Sequence, residues 1–161
     1  MGVIKPTLTL TSNSAAATTD PGPISIALSL SATASLTVDS VQSKIVTPAN
    51  AGAPTLLLQG EDYAGDSADT PGTHGSFLYL KNATTSGTSI IYVGTVLQGT
   101  AAPANMTAGG TALDNADDAT FRLMTLKLGE FCWMPWDYMQ DMYVGASSAD
   151  QSLEYFLFDR G

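Results

Sequence analysis

The residues able to do chemistry in this 161-residue chain are few, and their spacing is loose. His74 is the sole histidine and Cys132 the sole cysteine. A histidine without a nucleophile or base placed beside it forms no dyad, so His74, which follows Pro71-Gly72-Thr73, reads as a loop residue. Cys132 sits among bulky neighbours in Phe131-Cys132-Trp133-Met134 and reads as a small buried hydrophobe; alone, it makes no internal disulfide and implies no oxidising compartment. Carboxylates cluster twice, as Glu61, Asp62, Asp66 and Asp69 and again as Asp114, Asp117 and Asp118. Clustered carboxylate oxygens suit a hard cation such as calcium, but the spacing lacks the alternating ligands and glycine of an EF-hand loop, so both stretches read as solvated loops. Trp133, Trp136, Tyr138 and Tyr143 offer a stacking platform for a sugar, against the alternative of core packing or a subunit interface. Within this group Trp136-Asp137-Tyr138, just after Pro135, is the part expected to be exposed. A cupin-type metal centre needs two or three histidines on adjacent strands, which this chain lacks. The chain therefore reads as a non-enzyme, with no catalytic residue, no cofactor and no metal site.

Charge narrows the partners. Fifteen acidic residues against six basic ones give a net charge of −9, and the basic residues Lys5, Lys44, Lys81, Arg122, Lys127 and Arg160 are scattered. Phosphate binding needs a concentrated cationic face, so nucleic acid is not an expected partner. No stretch approaches the ~20 apolar residues of a membrane span, and Pro6 with a Thr/Ser-rich run follows the N terminus where a signal peptide would have an apolar core. The expected place of synthesis is a cytoplasm. Only 13% of residues are charged, so the surface must be largely Ser, Thr, Ala and Gly, which tolerates close packing against other proteins.

The elements that position these residues are strands. Leu153-Glu154-Tyr155-Phe156-Leu157-Phe158 is apolar on both faces and predicts a central sheet strand. Phe131 to Met134 is bulky on both faces too, as a strand buried between two layers would be, and Pro135 ends or edges it. Phe77 to Lys81 and Thr88 to Gly94 predict one hairpin, and Phe121 to Met134 a second, turned at Leu128-Gly129-Glu130. Met142 to Val144 is a further short strand, and no window shows helical periodicity with caps. Residues 98–120 read as a long loop. Asn82-Ala83-Thr84 and Asn105-Met106-Thr107 match the glycosylation sequon, idle without a secretory route.

Residues 1–60 contain no aromatic side chain, whereas all thirteen lie from Tyr63 onward. This shift divides the chain into a small-residue segment, 1–60, and an aromatic β-sandwich body, 61–161. Thr7 to Leu10 and Ile24 to Leu30 alternate strictly, with turn chemistry from Thr11 to Pro23 between them; Leu36 to Val38, Ser43 to Val46 and Thr55 to Leu58 are further strand candidates. Such strands bury little area per residue, and are expected either to complete the body's sheets or to pair with another subunit. The interface residues expected on this reading are Thr7, Leu8, Leu10, Ile24, Ile26 and Leu28, together with Trp136 and Tyr138, with residues 1–60 as the docking element.

The order FLYLKN, TSIIYVG, LKLGEFCWMPWD, MYVG and LEYFLFD, from about Phe77 to Phe158, resembles the small virion structural proteins of tailed bacteriophages, notably phages of cyanobacteria. The resemblance implies an all-β, jelly-roll-like antiparallel sandwich that assembles on a virion, made in the host cytoplasm. Its implied role is a capsid decoration or cement protein that binds and stabilises the outside of the shell; a tail or neck component, or a carbohydrate-binding sandwich, is the alternative. It also implies the major capsid protein as partner and a homotrimer.

Overall fold

The computed structural model describes residues 2–4, 7–11, 27–31, 36–38, 40–50, 54–63, 76–98 and 122–159. Ile24, Ile26, Asp66, Asp69, His74, Asp114, Asp117, Asp118, the Asn105 sequon and most of the stretch from Thr11 to Pro23 lie outside the described residues. The chain forms two compact units, Met1–Val38 and Asp39–Gly161.

In the first unit, strands β1 (Gly2–Ile4), β2 (Thr7–Thr11), β3 (Ala27–Ser31) and β4 (Leu36–Val38) form two nested antiparallel pairs, β1 with β4 and β2 with β3. In the register of β2 and β3 the partners are Thr7 and Ser31, Leu8 and Leu30, Thr9 and Ser29, and Leu10 and Leu28. Strand β2 thus pairs with Ala27–Ser31 of the same chain.

The second unit has eight strands: β5 (Ser40–Val46), β6 (Thr55–Leu58), β7 (Ser76–Asn82), β8 (Ile90–Leu97), β9 (Arg122–Lys127), β10 (Phe131–Trp136), β11 (Gln140–Ala146) and β12 (Leu153–Asp159). They form two four-stranded antiparallel sheets, β10-β7-β12-β5 and β6-β11-β8-β9, packed face to face. Counted from β5, the first sheet takes strands 1, 8, 3 and 6 and the second takes 2, 7, 4 and 5, the interleaved double Greek key of a jelly roll. Strand β12 is internal to its sheet, as its two-sided apolar pattern predicts. Strands β5 and β6, which composition groups with residues 1–38, are end strands of the two sheets. An end strand has a single neighbour, so the largely small and polar side chains of β5 suffice there, whereas β6 is Thr-Leu-Leu-Leu and sends Leu58 into the core.

Both expected hairpins are corrected. Strands β7 and β8 lie in different sheets, as do β9 and β10, so residues 83–89 and the Leu128-Gly129-Glu130 turn each step across the sandwich. That turn is otherwise as expected: Glu130 N donates to the Lys127 carbonyl at 2.9 Å, and Gly129 has φ of 76°. An alanine at 129 meets no neighbouring atom but must hold that left-handed conformation. Gly129→Ala is expected to lower stability by about 1 kcal/mol, read as a shifted urea midpoint at unchanged slope.

The core lies between the sheets. Leu78, Leu80, Leu153, Tyr155, Leu157 and Trp136 from one sheet meet Leu58, Ile91, Val93, Leu126, Met142 and Val144 from the other. Among the described residues no helix is long and apolar enough to cross a membrane.

Candidate interaction face

The parity of each strand settles which side chains reach the core. In β7, Ser76, Leu78, Leu80 and Asn82 are buried while Phe77, Tyr79 and Lys81 are half-buried on the opposite side. In β12, Leu153, Tyr155 and Leu157 are buried and Glu154, Phe156 and Phe158 lie outward. Register then assembles three outer rows: Phe131, Lys81, Glu154 and Ile45; Trp133, Tyr79, Phe156 and Ser43; Pro135, Phe77, Phe158 and Val41. Nine of these twelve positions are apolar or aromatic, against one lysine, one glutamate and one serine. Phe131 is 59% exposed, Val41 55% and Ile45 65%. The expectation that Phe131 to Met134 is buried between two layers is corrected: the second sheet covers its inner face, and no strand covers the outer face among the described residues.

The rings on this face pack against one another. Phe77 stacks on Trp133 at 5.6 Å between centroids and an interplanar angle of 14°, and Phe156 stacks on Phe158 at 6.3 Å and 17°. Trp133 and Phe158 approach to 5.0 Å, Tyr79 meets Phe156 edge-on at 5.8 Å, and Tyr79 and Phe131 lie 6.0 Å apart. Burial, then the Glu154 carboxylate, pushes the Tyr79 hydroxyl up, so it stays neutral at physiological pH. Burial also raises the Cys132 thiol, which makes it a poorer nucleophile.

The expected exposure of Trp136 and Tyr138 is corrected. Trp136 is 3% and Tyr138 8% exposed, and Trp136 Nε1 donates to the Gln140 carbonyl at 3.0 Å. Trp136 is three residues from Trp133, and an odd step along a strand reverses the face, so one tryptophan joins the open rows while the other enters the core. Tyr143 is buried on the outer side of the second sheet, clustered with Val96 and Tyr92. The Arg122 guanidinium lies 4.2 Å from the centre of the Tyr92 ring. The four-residue aromatic platform is thus not assembled; Trp133 packs against Phe77 and Phe158 instead, on the face it shares with Tyr79, Phe131 and Phe156. Alternation within each strand could have found these residues, but only the pairing of β7 with both β10 and β12 brings them together.

Among the described residues no three His, Cys, Asp or Glu side chains converge to hold a metal. Glu61 and Asp62 are exposed on the 3-10 turn Gly60–Tyr63. Asn82 of the first sequon is fully buried, its amide spent on hydrogen bonds. A concavity of about 720 Å³ beside the β9–β10 turn is lined by Met124, Leu126, Leu128 and Phe131; its one carboxylate, Glu130, accepts the Lys127 amide through Oε2 at 2.7 Å. The most extended feature among the described residues is the apolar and aromatic outer face of the β10-β7-β12-β5 sheet. Compared with family models, curated proteins and solved structures, the chain matches none.

Proposed function

We propose that this protein is a structural assembly protein of a virion, which binds the outside of a phage capsid and stabilises it by docking the open aromatic face of its jelly roll against the shell. The observation that carries the reading is that face. From the strand spacing of ~4.8 Å and rise of ~3.4 Å its three rows span roughly 400 Å² of sheet, in the range of the largest apolar patch of a monomer, which is often functional. The phage setting rests on the resemblance of the strand motifs to small virion proteins. Burial of such a face across the joint between capsomers opposes the opening of that joint under the pressure of packaged DNA. At ~25 cal/mol per Å² of apolar area, the favourable gross term on this side is at most about 10 kcal/mol before association costs.

The stacking of the rings favours a protein partner over a sugar. Phe77 against Trp133 and Phe156 against Phe158 each take up one face of both rings, which leaves less ring face for a sugar to stack on. The test is co-sedimentation of the full chain with empty shells and with tails. Wild type is expected to pellet with shells, and the double variant Phe131→Ser, Trp133→Ser, checked for folding by circular dichroism, to lose at least about tenfold in affinity. Undiminished binding by the variant would move docking to residues 1–60. Binding to tails alone would favour the tail or neck role, and retention on a polysaccharide instead the carbohydrate-binding one.

A further inference from the structure

In the three outer rows of the β10-β7-β12-β5 sheet only two of the twelve positions are charged, and the two are neighbours. Lys81 of β7 and Glu154 of β12 are register partners in the first row, with Phe131 of β10 beyond the lysine and Ile45 of β5 beyond the glutamate. Across the sheet that row runs apolar, cation, anion, apolar, which is its own complement when reversed. The second row has Tyr79 and Phe156 in the middle, the large Trp133 at one end and the small Ser43 at the other. Reversed, it sets large against small.

We propose that before it docks this face is covered by the same face of a second copy of the chain, the two copies related by a two-fold axis that lies between the faces and runs parallel to β7 and β12. Such an axis exchanges β7 with β12 and β10 with β5, and it keeps each row opposite itself. Lys81 then meets Glu154 of the second copy, and Glu154 meets its Lys81. Tyr79 meets Phe156 of the second copy, Phe131 meets its Ile45, and Trp133 lies over its Ser43. An axis running across the strands instead reverses the order of the rows, which moves Lys81 away from any carboxylate on the face and sets Glu154 against the Phe158 ring, whose face carries the negative part of its quadrupole. The two charges therefore select the first arrangement. Aligned sheets pack at about 30° to one another, and residues on the two middle strands lie nearest the pivot, so the long Lys81 side chain can follow the twist. Lying in an end row, the pair fixes register more than it adds affinity.

The size of the contact sets its strength. Roughly 400 Å² of sheet per copy is half the ~800 Å² per partner of a standard stable interface, in the range of weak, exchanging complexes. Such a cover keeps an apolar patch from indiscriminate contact and still yields to a docking target. The covering role rests on the reading of this face as the docking surface; the self-association does not.

Sedimentation of the full chain from micromolar to submillimolar concentration, with subunit mixing followed by two fluorescent labels, tests the pairing. Wild type is expected to show a monomer–dimer equilibrium. The double variant Lys81→Glu, Glu154→Lys keeps an opposite pair within its own sheet, so it should fold, checked by circular dichroism, and dimerise within about threefold of wild type. Mixed dimers of this variant with wild type set carboxylate against carboxylate and ammonium against ammonium, and should form at least about tenfold more weakly than either homodimer. Ser43→Trp, at an exposed position, sets two large rings against each other and should weaken self-association at least about tenfold without any change of charge. Wild type that stays monomeric throughout, a trimer such as the resemblance implies, random mixing of wild type with the double variant, or undiminished association of Ser43→Trp would each overturn the proposal. Added shells are expected to dissolve the dimer as they bind. Shells that bind the dimer intact would overturn the covering role, whereas a dimer beside shells that bind no protein counts against the capsid reading alone.

Discussion

Asn82→Ala should be among the most destabilising substitutions in the sandwich, at about 3–4 kcal/mol. Asn82 ends β7 with its side chain directed between the sheets, fully buried. Its Nδ2 donates to the Leu126 carbonyl on the opposite sheet at 3.0 Å and to Ser89 Oγ at 2.9 Å, while Oδ1 accepts the Thr84 amide at 3.2 Å. The surroundings are tied to the same point: Asn82 N donates to the Glu130 carbonyl, Gly129 N donates to the Asn82 carbonyl, and Ser152 N donates to Thr84 Oγ1. Alanine removes the bridge and leaves the Leu126 carbonyl and Thr84 amide without these partners in a place water reaches poorly, so the cost is desolvation as well as lost bonds. Thr84→Ala, at a half-buried position, should cost only about 1 kcal/mol. Urea denaturation of the full chain checks both; an Asn82→Ala shift under 1 kcal/mol would mean that the crossing between sheets relaxes around the gap.

Gly60→Ala is the second large effect, for a steric reason. Gly60 N donates to Asp141 Oδ1 at 2.8 Å, which holds the start of the 3-10 turn on the buried end of β11. A Cβ at this position would fall on the carbonyl of Tyr138, which is backbone and has no rotamer by which to withdraw. The Asp137–Met139 turn must therefore move or the Gly60–Asp141 hydrogen bond must lengthen, at about 2–3 kcal/mol by the usual cost of overpacking. Gly129→Ala, limited by backbone conformation alone, should cost less. Asp141→Asn separates the two contributions, because the amide oxygen can still accept from Gly60 and the fold should lose less than with alanine at 60. Equal denaturation midpoints for Gly60→Ala and Gly129→Ala would show that the turn yields freely.

Period-two alternation in Leu153 to Phe158, Phe77 to Lys81 and Ile90 to Val93 was enough to establish strands, an all-β class and a central position for β12. The reason is physical: a strand's two faces are written at alternate residues, so a segment apolar at every position has two apolar faces wherever it sits. Which strand pairs with which was not legible. Seven residues between β7 and β8, and three between β9 and β10, are as compatible with a hairpin as with a step between layers, and only the closure of two sheets around one core chose the step. The same holds for the open face. The sequence contained Phe131, Trp133, Phe77, Tyr79, Phe156 and Phe158 at matching parity, and the separation of Trp133 from Trp136 already implied opposite sides. That one apolar face of the sheet would meet the core and the other would have no strand over it among the described residues depends on where the second sheet lies, a long-range property that no local pattern encodes. Strands β5 and β6 show the converse. Their lack of aromatics grouped them by composition with residues 1–38, yet the tertiary structure uses them as the ends of the two sheets, where the small and polar side chains of β5 meet a lower demand for burial and Leu58 of β6 reaches the core.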